Sequence, residues 1–141
     1  MFSLQIIDSD AFLNMPATSQ LLYFHLGMRA DDDGFINNTK TIMKMCSVND
    51  DDLAILIQKG FIIPFKDYIV VIKHWNINNY IQRDRYTETK YLEDKYSLFI
   101  KDDKSYTLDA TQGVSLRFSG DLLVDENREV SKNLIANFKK K

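Results

Sequence analysis

The change in hydrophobic period that follows Gly60 constrains the fold of this chain more than any other feature. Before Gly60, apolar residues recur at spacings of three and four, which is the period of an amphipathic helix. After it come the short apolar runs "FII" and "YIVVI", separated by Pro64 and the segment "FKD". Runs of this length around turn residues are typical of two β-strands joined by a tight connection. The sequence therefore predicts helices up to about residue 60 and a β-hairpin directly after them.

Turn and capping residues divide the helical part. Asn38 and Asn49 are suitable N-caps, and Pro16 can open a helix because its missing N–H costs nothing there. The four predicted helices cover residues 10–15, the stretch from Pro16 to the segment "ADDDGF", residues 39–46 and residues 50–59. A very short strand is predicted at residues 35–36, between the second and third helices.

Two helices joined by a turn, preceded by a short strand and followed by a hairpin, have the element order of a winged helix-turn-helix. The predicted fold class is therefore α+β, mostly helical, with residues 1–108 as a winged-helix domain. From residue 109 onwards, segments such as "DATQG" and "SGD" are typical of a linker, and "ENREVSKNLIANFKKK" places its apolar residues on one helical face. Residues 109–141 are expected to be a linker-like C-terminal extension that ends in an amphipathic helix.

Composition excludes several classes of protein. Cys46 is the only cysteine, so an internal disulfide is impossible and a reducing compartment is expected. The apolar runs are far shorter than a bilayer-spanning helix, and the start "MFSLQIIDSD" lacks the basic and long apolar segments of a secretory signal. We therefore expect a cytoplasmic protein without a membrane partner.

No group of side chains predicts catalysis or a cofactor. The segment "RADDDGFINNTK" has the glycine of a calcium-binding loop in register, but Arg29 and Lys40 occupy ligand positions that require carboxylates. It is therefore predicted to be a solvated turn between helix and strand. His25 and His74 lack a second ligand at metal-binding spacing. We expect a protein that is not an enzyme and that needs no metal or cofactor.

Positive charge is found in the middle and at the end of the chain, because residues 61–108 and residues 109–141 each carry a net charge of +1. Residues 1–60 hold eight acids and four bases, whereas residues 61–108 hold seven acids and eight bases, within a net charge of −2. The segment "KHWNINNYIQRDRY", residues 73–86, interleaves aromatic, amide and arginine side chains, which can stack on bases, pair with base edges and bind phosphates. The same segment also fits a structural role, in which Trp75 and its apolar neighbours pack on the core and the arginines form a solvated face.

The fourth predicted helix is poorly suited to the usual docking of a helix-turn-helix. The N-terminal residues of that helix enter the major groove, and here Asp50 and Asp51 would be repelled by phosphates. A surface that avoids this conflict combines the third helix, the tip of the hairpin and the segment 73–90. The predicted DNA-contact residues are Lys40, Lys44, Lys66, Lys73, Asn79, Arg83, Arg85 and Lys90. Alternatively, the acidic start of the helix meets a basic protein partner.

Long strings of the sequence resemble a known family. The strings "LYFHLGMRADDDGF" and "NNYIQRDRY" are similar to the N-terminal domain of phage replisome organisers, which are related to the DnaD-like primosomal proteins. The resemblance covers about residues 4–108 and implies a winged-helix fold, binding to origin DNA and recruitment of a host helicase or helicase loader. It also implies self-assembly into a homo-oligomer. The signature residues that it supports are Trp75, Asn79, Tyr80, Arg83, Asp84, Arg85 and Tyr86.

These features predict a double-stranded-DNA-binding winged-helix protein that acts in the initiation of phage or prophage DNA replication. Two other functions stay open at this point. One is a protein-interaction or oligomerisation module of the primosome that does not contact DNA. The other is a phage transcriptional regulator with the same fold.

Overall fold

A computed structural model describes residues 2–79 and 83–118 of the chain, with Arg83 and Phe118 described by their backbone alone. Among these residues the helices are α1 (Leu4–Ile7), α2 (Asp10–Leu13), α3 (Ala17–Arg29), α4 (Thr39–Cys46), α5 (Asp50–Gln58), α6 (Trp75–Asn78) and α7 (Leu92–Tyr96). The strands are β1 (Phe35–Ile36), β2 (Ile62–Pro64), β3 (Val70–Ile72), β4 (Phe99–Ile100), β5 (Tyr106–Thr107) and β6 (Val114–Ser115). Short 3₁₀ turns cover Lys66–Tyr68, Arg83–Arg85 and Leu116–Phe118. The predicted α+β class is confirmed.

Local signals fix the end of α4 and the start of α5, the two helices before the hairpin. Ser47 ends α4 in the left-handed conformation, with φ of 58°. Asn49 then starts α5, because its side-chain oxygen accepts hydrogen bonds from the Asp51 and Asp52 amides while the Asp52 carboxylate accepts one from the Asn49 amide. The helix starts predicted after Asn38 and Asn49 are confirmed.

The first sheet has the strand order β1-β3-β2, and all its strand pairs are antiparallel. Phe35 lies opposite Val71, and Ile62 lies opposite Ile72. The hairpin predicted after Gly60 and the short strand predicted at residues 35–36 are both confirmed. Gly60 has φ of 79°, a left-handed conformation that glycine adopts without strain at the end of a helix.

The second sheet has the order β5-β4-β6, again antiparallel. β6 can pair with β4 because residue 113 is glycine: a Cβ added there would lie 2.3 Å from the Ile100 carbonyl oxygen. Leu116, just after β6, is 5% exposed and belongs to the core. β6 and Leu116 thus lie beyond the domain boundary predicted after residue 108, and Val114–Ser115 pair with β4 although a linker is expected there. The predicted terminal amphipathic helix lies outside the described residues.

An aromatic cluster fills the centre of the core. The rings of Phe12, Tyr23 and Phe61 pack edge to face, with centroids 5.3 to 5.8 Å apart. These rings bring α2 and α3 against the start of the hairpin. None of the helices in the described ranges has the length and apolar character needed to cross a membrane.

Candidate nucleic-acid interface

The connection between β2 and β3 carries a cation and an aromatic ring at its tip. Asp67 and Tyr68 both have φ of 59°, so the backbone turns sharply there. The Lys40 ammonium of α4 lies 4.5 Å from the centroid of the Tyr68 ring, a cation–π distance. This contact brings α4 and the hairpin tip to one place on the surface.

Three predicted contact residues therefore share one region. Lys66 is exposed in the hairpin tip, and Lys44 is exposed on α4, one helical turn after Lys40 and on the same side. We call the surface formed by Lys40, Lys44, Lys66 and the 39% exposed Tyr68 ring the basic corner. It presents exposed cations from two separate elements, and one of these cations, Lys40, lies over the ring.

Acidic residues of α7 moderate the charge of the basic corner. Burial raises the pKa of the Asp94 carboxyl, Glu93 raises it further, and Lys66 opposes both effects. Aromatic packing holds the base of the hairpin tip close to the segment before α7. The ring centroid of Phe35 lies 5.7 Å from that of Phe65 and 6.2 Å from that of Tyr91. The start of α7 is thus held close enough to Lys66 for its carboxylates to reduce the positive electrostatic potential around that lysine.

Lys73 lies away from the basic corner. It follows β3 at the end opposite to the hairpin tip. At about 3.3 Å per residue of extended chain, Lys73 is about 13 Å along the strand from Ile69. His74 follows it in the chain and lies close enough to Lys73 and Lys101 to be affected by both charges. Burial lowers the pKa of His74 to about 4, and the charges of Lys73 and Lys101 contribute to the decrease. The structure therefore does not bring Lys73 and Lys66 together.

The segment that follows β3 is largely structural. Trp75 is 7% exposed, and its indole N–H donates to the Asp32 carbonyl at 2.9 Å. Asn78 is also buried; it accepts from the Ser3 amide at 3.0 Å and donates to the Tyr23 hydroxyl at 2.8 Å. Asn79 is half-buried and follows the end of α6; its amide and side chain both donate to the carbonyl of Trp75, the first residue of that helix. The packing role left open for this segment is confirmed for Trp75.

The remaining predicted contacts lie beside carboxylates. Arg85 is exposed directly before a stretch bonded to Asp32 and Asp33. Lys90 is exposed on the rim of an open groove of about 460 Å³, whose lining also includes Arg29, Asp31 and Asp32. Acids therefore offset the positive charge of this segment. The side chain of Arg83 lies outside the described atoms, as do Tyr80 and residues 81–82.

The turn formed by Asp31, Asp32 and Asp33, which we call the acidic turn, was predicted to be solvated and is instead a binding site for another part of the chain. Asp33 is 7% exposed. Its carboxylate accepts from the Tyr86 hydroxyl at 2.7 Å and from the Thr89 amide at 2.8 Å. These donors lie more than fifty residues further along, so no local pattern could have indicated them.

The other two carboxylates of the acidic turn are also occupied. Asp31 accepts from the amides of Asp33 and Phe35 and from the Thr89 hydroxyl, the last at 2.6 Å. Asp32 accepts from the Thr87 amide at 2.9 Å. Within the described ranges, no three His, Cys, Asp or Glu side chains are grouped as ligands for a metal ion.

The start of α5 remains acidic, as the sequence predicts. Asp50 and Asp51 are exposed, whereas Asp52 is buried and accepts from the Thr18 hydroxyl at 2.5 Å. The eight predicted contact residues are thus divided among the basic corner, the opposite end of β3 and the segment beside the acidic turn. No known protein family, curated protein or solved structure matches this chain. The basic corner is the best-formed candidate for binding a polyanion.

Proposed function

We propose that this chain is a double-stranded-DNA-binding winged helix-turn-helix protein that contacts phosphates through the basic corner. The proposal is supported by the order of α3, β1, α4, α5, β2 and β3, in which a helix pair precedes a hairpin. It is also supported by the sheet order β1-β3-β2, which places the hairpin beside the strand that precedes the pair.

The contact between Lys40 and Tyr68 is the observation that carries the proposal. It joins α4 to the hairpin tip, where Lys40 lies over the Tyr68 ring. Lys44 is exposed one helical turn after Lys40, and Lys66 is exposed two residues before Tyr68. Lysines bind DNA mainly by replacing the counterions of phosphates, and an exposed ring offers a face for sugar or base contacts. Cations on two elements at once can follow a phosphate backbone in a fixed orientation.

The acidic start of α5 determines how DNA is approached. A helix whose first turn presents Asp50 and Asp51 is repelled by phosphates on both sides of a major groove. DNA is therefore expected to lie against the hairpin tip and the outer face of α4, with the first turn of α5 turned away from the backbone.

The biological role follows from the resemblance of the sequence to phage replisome organisers. In that role the chain binds the origin region in the cytoplasm, assembles into a homo-oligomer and recruits a host helicase or helicase loader. Weak phosphate contacts from three lysines gain strength when several copies bind neighbouring sites. Binding is then expected to be cooperative on long duplexes.

Paired charge removals test this proposal. The variant Lys40→Ala/Lys66→Ala removes two cations from the basic corner, and Lys59→Ala/Lys73→Ala removes two from the opposite end of β3 and the end of α5. We expect the first variant to bind a duplex of the origin region more weakly than the second, by fluorescence anisotropy at one salt concentration. Equal affinities of the two variants would remove the basic corner from the interface.

A second candidate function is a protein-interaction module that does not contact DNA. It is favoured by exposed apolar side chains on one face of α3, where Leu21 is 41% and Met28 is 61% exposed seven residues apart. If this face joins copies of the chain, Leu21→Ser/Met28→Ser lowers the mass measured by light scattering. An unchanged mass excludes this face of α3 as an oligomer contact. That result would not count against the proposed DNA binding.

A further inference from the structure

Residues 86–91, which we call the strap, are held to the rest of the fold by side chains rather than by strand pairing. The amides of Thr87 and Thr89 donate to carboxylates of the acidic turn, at 2.9 and 2.8 Å. The Thr89 hydroxyl donates to Asp31 at 2.6 Å. Two amides of an extended segment, spaced by two residues, thus meet successive carboxylates.

Lys95 closes this arrangement with a buried charge. It is 4% exposed, and its ammonium donates to Glu88 at 2.7 Å and to the Tyr86 hydroxyl at 2.9 Å. The same ammonium lies 3.6 Å from Asp33. Because Glu88 and Tyr86 lie on the strap and Asp33 on the acidic turn, the lysine joins the two sides.

We infer that the strap and the acidic turn form a latch, in which residues 86–91 detach and reattach as one unit while the first sheet stays folded. The strap is attached by a few charge-assisted hydrogen bonds and by one ring contact at its end, between Tyr91 and Phe35. By contrast, β1 and β3 are joined by backbone bonds and by side chains that are fully buried. Detachment returns Lys95 and the carboxylates to water, which recovers much of the free energy spent on burying them. The latch is therefore a local equilibrium, separate from global unfolding.

The position of the strap gives the latch a consequence. It directly follows the turn Arg83–Arg85 and directly precedes α7, whose Asp94 lies near Lys66. When the latch is closed, Arg85 is held beside the acidic turn and the start of α7 is held beside the basic corner. When it is open, neither constraint applies. This inference concerns the free protein and does not depend on DNA binding.

Native-state hydrogen exchange of the full chain, measured residue by residue, tests the latch. We expect the Thr87 and Thr89 amides to exchange through a local opening, faster and with a weaker dependence on denaturant than the Ile72 amide, which donates to Gly34 inside the sheet region. If the amides of Thr87 and Thr89 exchange only together with that of Ile72, the strap is part of the global folding unit and the inference is wrong.

Two variants assign the opening to the proposed contacts. Asp33→Asn removes the charge that faces Lys95 and leaves the Thr89 amide without a carboxylate, so exchange at residues 87 and 89 should rise roughly tenfold or more. Asp102→Asn removes the same charge from an exposed site and serves as the control. Thr89→Val keeps the shape and the net charge but removes the hydroxyl that donates to Asp31 and accepts from the Tyr91 amide. It should raise exchange at residue 87 while leaving residue 72 unchanged.

The outcomes are distinct even if Asp33→Asn does not fold. Thr89→Val changes no charge and leaves the core intact, so it reports on the strap alone. A rise at residue 87 with no rise at residue 72 supports the latch. No rise at residue 87, or an equal rise at both residues, overturns it, whether or not the protein binds DNA.

Discussion

At the scale of single residues, Asp33 shows how a side chain can be decisive without belonging to any motif. It accepts two hydrogen bonds from the strap and lies near the buried ammonium of Lys95. Burial and the nearby Asp33 carboxylate together raise the pKa of the Tyr86 hydroxyl far above its ordinary value. Tyr86 therefore stays a neutral donor over the whole physiological range, which suits the acceptor that it faces.

Removing the Asp33 charge should destabilise the fold. We expect Asp33→Asn to lower the free energy of unfolding by about 3 kcal/mol, because it leaves a buried lysine with only the partly exposed Glu88 as counter-ion. Urea denaturation provides the measurement. The control Asp102→Asn, at an exposed position, should change stability by less than about 0.5 kcal/mol. Equal effects of the two substitutions would contradict the role assigned to Asp33.

His74 should make stability depend on pH. Its Nδ1 is buried and has no hydrogen-bond partner among the described residues, and burial lowers its pKa to about 4 from an ordinary value of 6.5. Between those values the unfolded chain binds the proton and the folded chain does not, so stability falls as pH drops from about 6.5 towards 4. Urea titrations at several pH values should show this fall in the parent chain and a smaller one in His74→Leu. The same fall in both proteins would show that other groups cause it.

At the scale of elements, the sequence predicts best where the determining contacts are local. Asn49 and Asp52 are three residues apart, and the hydrogen bonds between them cap the start of α5. Gly60 ends the helical region because it adopts a left-handed backbone conformation. The strands beside it are recognisable by their β-branched residues. By contrast, the partners of Asp33 and Asn78 lie more than fifty residues away, and such pairs leave no periodic signal.

β6 is a strand whose pairing depends on the residue type at a single position, Gly113. The small and polar segments from residue 109 predict a linker-like extension, and the alternating apolar residues Val114, Leu116 and Phe118 add only a weak strand signal. The chain nevertheless pairs with β4 there, because Gly113 has no Cβ to strike Ile100. Gly113→Ala should separate β6 from β4 and destabilise the protein by about 1–3 kcal/mol. The control Gln112→Ala changes the adjacent exposed residue and should have little effect. Amide exchange at β4 and β6 measures both, and slow exchange retained in Gly113→Ala would contradict this explanation.

At the scale of the whole molecule, the candidate site was predictable only in part. Residue types indicated cations near the hairpin, and Lys40, Lys44 and Lys66 do share one region. The sequence alone could not show that Lys73 follows β3 at its other end, or that Lys90 shares a groove with Asp31 and Asp32. Those positions depend on strand direction and on the docking of the strap. The binding surface proposed from the structure is therefore smaller than the one predicted from the sequence.

The central claim is that the basic corner replaces counterions on duplex DNA, and the salt dependence of binding tests it most directly. Three lysine contacts predict a slope of about −3 in a plot of log affinity against log salt concentration, since each neutralised phosphate contributes about −0.9. In Lys40→Ala/Lys66→Ala the slope should fall to about −1, while Lys59→Ala/Lys73→Ala should keep the original value. A slope that is the same in all three proteins, or no binding to duplex DNA at low salt, would contradict the account.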